Sequence, residues 1–193
     1  MNKEKEIQTF YDDFSNNYDN FYGKITTQHY LNKEKNILKN FLNNYQQIIE
    51  IGAGTGENLC NLKTVSNKLI GIDISFKMCK KMKEKNIIAI QSNAINLPLK
   101  KIDNLLMFLF IHYFNYIDKN NFEKLLNNIS TNLSNSKRII IKESNRLNII
   151  SRLIHFIIKE KNMVNITPFY LLNTLKNNGY VIEKIYFYGF MMP

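Results

Sequence analysis

The chain has 193 residues, a hydrophobic content of 45% and a formal net charge of +10 at pH 7. This length and hydrophobic content fit one α/β domain with a sizeable core, so no second domain is needed. The two cysteines, Cys60 and Cys79, form no C-x-x-C pair and have no His cluster beside them. That arrangement argues against a zinc site or a disulfide framework.

The positive charge has two interpretations. A basic surface for RNA or for an anionic membrane is one of them. Lys, Asn and Ile are frequent along the whole sequence, however, so we favour diffuse, solvated lysines over a dedicated basic patch. Nucleic acid is therefore a partner that the composition allows but does not favour.

The sequence predicts a cytoplasmic protein without a transmembrane segment. Residues Met1 to Glu6 are charged and lead into aromatic residues, without the apolar core of a secretory signal. The longest apolar run, Leu105 to Phe114, is interrupted by His112 and is too short to span a bilayer as a helix. A buried strand and its loop are the better interpretation of this run.

Two helices are predicted before the first strand. Residues 7–22 place aromatic side chains at intervals of three and four, which is the spacing of one helix face. Residues 27–43 carry an apolar stripe opposite several lysines, which predicts a second amphipathic helix.

A glycine-rich loop follows the first predicted strand. The β-branched run that begins at Ile48 stops at Gly52, Gly54 and Gly56, which are three of only seven glycines in the chain. Such a cluster indicates a sharp backbone turn that a ligand approaches closely. Helix is predicted from Glu57 onward, so the loop presents free backbone N–H groups at a strand-to-helix junction. An ordinary tight turn is the alternative.

The loop has the spacing G-x-G-x-G, whereas dinucleotide-binding folds use G-x-G-x-x-G. With Glu50 two residues ahead of it, the loop resembles motif I of the class I S-adenosylmethionine-dependent methyltransferases. The resemblance implies that S-adenosylmethionine is the cofactor and that the glycines make room for its methionine part. The cofactor contacts implied here are Glu50, Gly52, Ala53, Gly54 and Gly56.

The N-terminal helix carries a second part of this resemblance. Residues 10–22 resemble the F-Y-D-x-x-x-x-x-Y-D-x-x-Y opening of many small-molecule methyltransferases, in which this segment folds over the cofactor and closes the substrate pocket. The resemblance implies that Tyr18 contacts the cofactor and that Tyr11 and Tyr22 line the substrate pocket. Packing in the core is the alternative for each tyrosine.

The second predicted strand, residues 68–75, contains a carboxylate near its end. Asp73 lies seventeen residues after Gly56, where an acidic side chain can accept hydrogen bonds from both hydroxyls of a ribose. We expect Asp73 and the adjacent Ile74 to contact the cofactor. A capping aspartate is the alternative.

The segment after the third strand resembles the D-A-x-x-L-P motif of the same family. A helix over residues 75–85 and a strand over residues 86–91 are predicted before it. The resemblance implies that Asn93 and Ala94 contact the adenine. Asn93 replaces the usual acidic residue, and its amide oxygen is expected to accept the hydrogen bond of the adenine amino group with less electrostatic help.

The fourth strand, residues 102–108, continues into a segment that resembles the family's L-H-H-F sequence. The resemblance implies a pocket wall near the reactive methyl group, with Tyr113 in place of the second His. His112 is the candidate catalytic residue, as a general base or as a substrate-positioning donor. A structural His that satisfies the loop backbone is the alternative.

The remaining elements are a helix over residues 118–133, a strand over 137–143, a basic amphipathic helix over 146–161, a helix begun by Thr167-Pro168 and ended by Asn178-Gly179, and a sixth strand over 180–186. We favour a pocket lid or a sheet cover for the basic helix over a membrane-surface helix. The chain then stops at Pro193, before the final antiparallel strand of the family. Either the sixth strand moves inward to take the vacant position, or the sheet edge stays open, and an open edge predicts self-association or a partner strand.

The expected fold is therefore α/β, with a doubly wound, mostly parallel, Rossmann-like sheet that lacks its final antiparallel strand. One domain is expected, with a helical cap over residues 1–45 and a core over 46–193. The expected function is methyl transfer to a small-molecule acceptor that resembles a quinone, a lipid or another metabolite. A tRNA or protein methyltransferase and a non-catalytic subunit that binds the cofactor are the alternatives.

Overall fold

The computed structural model describes residues 3–25, 28–42, 47–98, 105–110, 119–132, 138–142 and 167–186. Two helices, α1 (Lys3–Ile25) and α2 (Gln28–Leu42), come first in the chain. The elements that follow are β1 (Gln47–Ile51), α3 (Glu57–Asn61), β2 (Lys68–Asp73), α4 (Phe76–Glu84), β3 (Ile88–Gln91), a 3-10 turn (Ala94–Asn96), β4 (Leu105–Phe110), α5 (Lys119–Asn132), β5 (Arg138–Lys142) and α6 (Pro168–Asn177).

The five strands form one parallel sheet in the order β3-β2-β1-β4-β5. The chain first runs outward from β1 to β3 and then returns to the other side of β1 with β4. The strand order therefore reverses between β1 and β4, and ligands of such sheets bind outside the carboxyl ends of the strands at this point. The glycine loop follows β1 directly, so the fold puts it at the reversal.

Hydrophobic clusters lie on both faces of the sheet. Alternate side chains of β1 and β2 point to opposite faces, so Ile49 and Ile51 join one cluster while Ile48 joins the other. The first cluster is completed by α5 and α6, and the second by α2, α3 and α4. Helices on both faces confirm the doubly wound α/β architecture.

A glycine in β2 lets α4 lie close to the sheet. A Cβ atom at Gly71 would collide with Met82 of α4 and would lie 3.0 Å from the Cβ of Ala53. The absence of a side chain at this position therefore brings α4 and the glycine loop together over β2. Because Ser75 accepts a hydrogen bond from the Met78 amide as N-cap, α4 begins immediately after the end of β2.

The predicted sixth strand is wrong as far as the described residues show, because no strand is assigned to residues 180–186. Tyr180 and Ile182 pack against the first cluster, whereas Val181 is 86% exposed. The alternation that predicted a strand is therefore satisfied by side-chain packing rather than by ladder hydrogen bonds to the described strands. Glu183 pairs with Arg138 at 3.3 Å, which holds the segment near β5. Self-association at this edge stays a prediction.

The two terminal signals of α6 are confirmed. The Thr167 hydroxyl accepts a hydrogen bond from the Tyr170 amide at 3.2 Å, Pro168 follows as the first helical residue, and Gly179 has a φ of 80° just after the helix end. The predicted basic helix over 146–161 lies outside the described residues.

Candidate cofactor site

The glycine loop has a backbone that other residues adopt only with strain. The φ angles of Gly52, Gly54 and Gly56 are 71°, 54° and 76°, which lie in the left-handed region. The amides of Gly52 and Ala53 both donate to the Ile72 carbonyl, at 2.8 and 3.1 Å. The loop is therefore folded back onto the end of β2.

Asp73 joins this loop to the start of α4. Its Oδ2 accepts a hydrogen bond from the Gly54 amide and its Oδ1 accepts one from the Ser75 amide, each at 2.8 Å. Burial raises the pKa of Asp73 to about 6, against the lowering effect of these backbone donors, and the nearby charge of Asp12 adds to the rise. An ionised carboxylate has about four acceptor positions, so Asp73 retains capacity for ribose hydroxyls. Sequence reasoning missed its role in shaping the loop.

Glu50 lies in the second cluster's face of β1 and is 1% exposed. Its Oε1 accepts a hydrogen bond from the side-chain amide of Asn58 at 3.0 Å. Because Asn58 belongs to α3, this contact ties the end of β1 to the helix on the other side of the glycine loop. Glu50 thus fixes the two ends of the loop relative to each other.

The predicted adenine residues lie beside Asp73. The Ser92 amide donates to the Asp73 carbonyl at 2.9 Å, and the Gln91 side chain donates to the Ile74 carbonyl at 3.2 Å. The Oδ1 of Asn93 accepts a hydrogen bond from the Ile95 amide at 3.0 Å and so caps the 3-10 turn. The structure therefore gives the amide oxygen of Asn93 a local partner that the sequence analysis did not foresee.

Helix α1 lies against the glycine loop. A Cβ atom at Gly54 would lie 3.4 Å from the ring of Tyr18, which is van der Waals contact, so this ring lies directly against the loop backbone. Phe14 packs edge-on against Tyr18, with ring centroids 5.8 Å apart, and Phe10 continues the row at 5.9 Å from Phe14. Tyr11 packs against Phe10 at 5.2 Å.

Two aspartates of α1 accept hydrogen bonds that connect this helix to α4 and to the glycine loop. The Oδ1 of Asp12 accepts hydrogen bonds from the Ser75 hydroxyl at 2.5 Å and from the Lys77 amide at 3.0 Å. Asp19 accepts one from the Thr55 hydroxyl at 2.5 Å. Sequence reasoning named only the tyrosines of this helix. The available signal was the aspartate that follows a tyrosine in both halves of the N-terminal motif.

The comparisons with known proteins agree with this geometry. Residues 49–141 match the family model described as "Methyltransferase domain". This segment is a class I S-adenosylmethionine-dependent methyltransferase domain. No curated protein sequence gave a significant match.

Three solved structures show how far the similarity of fold extends. A Thermotoga maritima protein, described as a SAM-dependent methyltransferase and possible histamine N-methyltransferase, is 18% identical over 91% of this chain and 81% of its own, with a TM-score of 0.73. The DhpI-SAH complex is 14% identical over 91% and 87%, with a TM-score of 0.66. A SAM-dependent methyltransferase from Archaeoglobus fulgidus is 25% identical over 79% and 74%, with a TM-score of 0.59.

The methyltransferase fold brings most of the predicted cofactor residues together at the carboxyl ends of β1, β2 and β3. They are Gly52, Ala53, Gly54, Gly56, Asp73, Ile74, Asn93, Ala94 and Tyr18. Glu50 lies beneath them in β1. His112 and Tyr113 lie outside the described residues, as does the side chain of Tyr22. Among the described helices of the methyltransferase, none is both long and apolar enough to cross a membrane.

Proposed function

We propose that the protein transfers the methyl group of S-adenosylmethionine to a small-molecule acceptor with aromatic or lipid-like character. The main observation in favour of this class of acceptor is the row of aromatic side chains on α1. Phe10, Phe14 and Tyr18 follow one another along the helix, and Tyr18 ends the row against the glycine loop. Such a row offers apolar surface and ring faces next to the cofactor loop.

The residues present fit the cofactor. Asp73 lies at the end of β2 with a buried carboxylate, which is the acceptor that a ribose needs. The three glycines of the loop carry no side chains, and Gly52 is partly exposed, so the methionine part can approach the backbone at this position. Asn93 and Ala94 lie at the neighbouring strand end, in reach of the same ligand as Asp73. We assign ribose to Asp73 and adenine to the turn at Asn93.

When bound, the cofactor supplies a sulfonium methyl group that is already an activated electrophile. The chain itself therefore has to bind the two reactants, align them and exclude water. Helix α1 serves the last of these tasks, since it covers the loop from the solvent side. His112 is assigned to the acceptor side as a base or a positioning donor, and this role stays a prediction.

The Thermotoga protein gives further support for a small acceptor. Its description names a possible histamine N-methyltransferase activity, and histamine is a small amine. The similarity at 18% identity extends to the fold, so the acceptor of the present chain has to be found by experiment.

The decisive experiment uses S-adenosylmethionine with a deuterated methyl group. The purified protein is incubated with extract separated into small molecules, lipids, RNA and protein, and each fraction is searched by mass spectrometry for the mass shift of the labelled methyl group. We expect label among the small molecules or lipids, and none with Asp73→Ala protein. Label in RNA or protein alone would contradict the proposed acceptor class.

An RNA acceptor is the second candidate, and one observation favours it. Several exposed lysines lie on α4 and on the segment that precedes it: Lys63, Lys68, Lys77, Lys80 and Lys83. If these lysines contact phosphates, binding to tRNA weakens steeply with salt because counterions are released on binding. The absence of tRNA binding at low salt would dismiss this candidate.

A further inference from the structure

Lys85, at the end of α4, connects three elements around the glycine loop. Its ammonium group lies 3.3 Å from the Oδ2 of Asp19 on α1 and 3.1 Å from the Oε2 of Glu57 at the start of α3. The other carboxylate oxygen of Asp19 accepts the hydrogen bond of the Thr55 hydroxyl. Asp19 is thus held by the loop and by Lys85 at the same time.

These contacts form a defined ionic latch, which consists of Asp19, Thr55, Lys85 and Glu57. Thr55 is 1% exposed, so its hydroxyl lies in a dry environment, whereas the side chain of Lys85 is 27% exposed. Partial burial opposes the charge of Lys85, but the hydrogen bond of Glu57 and the charge of Asp19 outweigh this effect and raise the pKa of the ammonium group. Lys85 therefore keeps its positive charge at neutral pH.

The position of α1 shows what the latch closes. Asp12 binds at the start of α4 and Asp19 binds at the loop, seven residues or about two helical turns further on. The carboxylate of Asp73 accepts hydrogen bonds from the amides of Gly54 and Ser75. These two residues lie next to the places where Asp19 and Asp12 bind. Helix α1 therefore passes over the carboxylate that we assign to the ribose.

Hydrogen bonds of Asp12 and Asp19 attach α1 to the start of α4 and to the glycine loop. None of the described side chains of α1 belongs to either hydrophobic cluster of the sheet. Exposed ion pairs typically contribute only about 0.2 to 1 kcal/mol each. A helix attached in this way separates from the sheet far more easily than one that contributes to the core, and local opening of this kind precedes global unfolding.

We propose that Asp19 and Lys85 are positioning residues that hold α1 against the glycine loop, and that this latch opens each time the cofactor is exchanged. The proposal rests on the proposed function, because it takes the glycine loop and Asp73 as the cofactor site. The described hydrogen bonds of the Lys85 ammonium group go to Asp19 and Glu57. Its effect reaches the cofactor through Asp19, Thr55 and the covering helix.

The test compares two lysines of α4 that both pair with α1. Lys85→Met removes the latch, whereas Lys77→Met removes the pair with Asp13, whose partners are 3.9 Å apart and largely exposed. Cofactor affinity is measured by calorimetry and the release rate by stopped-flow chase with unlabelled cofactor. We expect Lys85→Met to accelerate release about three- to tenfold, as an ion pair and one charged hydrogen bond allow, and Lys77→Met to leave it unchanged.

Two further measurements separate positioning from simple destabilisation. Release from the wild type should accelerate between about 0.05 and 1 M NaCl, since salt screens exposed charges, while release from Lys85→Met should be insensitive to salt. Lys85→Arg keeps the charge and should retain slow release. Asp19→Asn combined with Lys85→Met should release the cofactor no faster than Asp19→Asn alone, because Lys85 acts through Asp19.

These measurements distinguish failure of the proposed function from failure of the latch proposal. If wild-type protein binds no S-adenosylmethionine, the proposed function fails and the latch proposal fails with it. If the wild type binds the cofactor but Lys85→Met and Lys77→Met release it at the same rate, only the latch proposal is overturned. A lowered melting temperature in Lys85→Met with wild-type release and salt dependence would also overturn it.

Discussion

Helices α1 and α5 are attached to the same sheet by opposite means. Helix α5 contributes Phe122, Leu125, Leu126 and Ile129 to the first hydrophobic cluster, and all four are 0% exposed. Helix α1 is attached by the carboxylates of Asp12 and Asp19, and Phe10 at its outer side is 36% exposed. Helix α5 is therefore part of the hydrophobic core, whereas α1 lies outside the core and is held by hydrogen bonds to the glycine loop and α4.

This difference in attachment indicates which of the two helices can separate from the sheet while the domain stays folded. Full burial of one large apolar side chain contributes about 1.5 to 3 kcal/mol, so the four residues of α5 separate from the sheet only when the domain unfolds. The hydrogen bonds of α1 are individually weaker and are replaced by water when they break. Helix α5 thus serves as scaffold through apolar burial, whereas α1 serves as a cover held by hydrogen bonds. The cover lies where the cofactor has to enter.

The largest expected effect belongs to the scaffold. Phe122→Ala removes a fully buried ring and leaves a cavity between α5 and the sheet, so the free energy of unfolding should fall by about 3 to 5 kcal/mol. Phe169→Ala is the matched control on α6, because its ring is 71% exposed, and it should change stability by less than about 0.5 kcal/mol. Urea denaturation measures both.

For the same pair of variants, cofactor release measured on folded protein should equal the wild-type rate. If folded Phe122→Ala protein instead released the cofactor much faster than the wild type, α5 rather than α1 would be the moving element. The contrast between the two helices would then be wrong.

The next effect concerns Asp73, whose pKa is raised from 3.8 to about 6 by burial. Because the raised pKa means that the folded state favours the protonated carboxyl, Asp73 stabilises the fold below about pH 4, and this contribution is lost as the pH rises through 6. The difference of two pKa units corresponds to about 3 kcal/mol. Asp73→Asn does not titrate, so the stability of the wild type relative to this variant should decline between pH 4 and 7.

Cofactor binding should show the opposite trend. The ionised carboxylate accepts ribose hydroxyls, so affinity should rise with pH through 6 in the wild type and stay flat in Asp73→Asn. Asp13→Asn, on the exposed side of α1, is the control and should behave as the wild type. Parallel stability curves for the wild type and Asp73→Asn would show that Asp73 is not buried as described.

A smaller effect belongs to the docking contact at α4. Asp12 places a carboxylate at the first turn of this helix and accepts from the Lys77 amide and the Ser75 hydroxyl. Asp12→Ala should cost about 0.5 to 2 kcal/mol, the range for losing a capping acceptor. It should also lower the pKa of Asp73, since the charge of Asp12 contributes to its rise.

An NMR titration of the carboxyl carbons reports this coupling directly, and Asp13→Ala on the same helix provides the comparison. Equal titration of Asp73 in the wild type and in Asp12→Ala would place α1 away from the end of β2. That result would remove the cover from the cofactor site.

Sequence patterns predicted the structural features that depend on residues close together in the chain. The β1 strand, the three left-handed glycines and the start of α3 all lie within residues 47–61, and each follows from local backbone preference. The strand that ends at Asp73 and the helix capped by Ser75 were predicted for the same reason. The parallel pairing of β1 with β2 was also predictable, because consecutive strands joined by a helix usually lie side by side.

The missed contacts join residues that are far apart in the chain. The bond from Ser75 to Asp12 spans 63 residues, and the bond from Thr55 to Asp19 spans 36. No local periodicity indicates which of several aspartates on α1 faces the sheet, since Asp12 and Asp13 are adjacent and only Asp12 reaches α4's backbone. Polar docking therefore needs the tertiary structure, whereas the apolar stripe of α5 is visible in the sequence.

The smallest expected effect tests the residue that departs from the family motif. The Oδ1 of Asn93 caps the 3-10 turn by accepting from the Ile95 amide, so the other terminal atom of this side chain is an amide nitrogen and a donor. The amino group of adenine is also a donor. An aspartate at this position keeps the cap with one oxygen and offers the second oxygen as an acceptor. Asn93→Asp should therefore tighten cofactor binding by about 1 kcal/mol, or about fivefold.

The control for Asn93→Asp is Asn96→Asp, which adds the same charge to an exposed position of the same turn. Calorimetry should show tighter binding for the first variant and wild-type binding for the second. Equal tightening by both would assign the effect to general electrostatic attraction of the sulfonium cofactor. Unchanged affinity in both would place the adenine away from this turn, while the ribose assignment to Asp73 would still be decided by its own pH dependence.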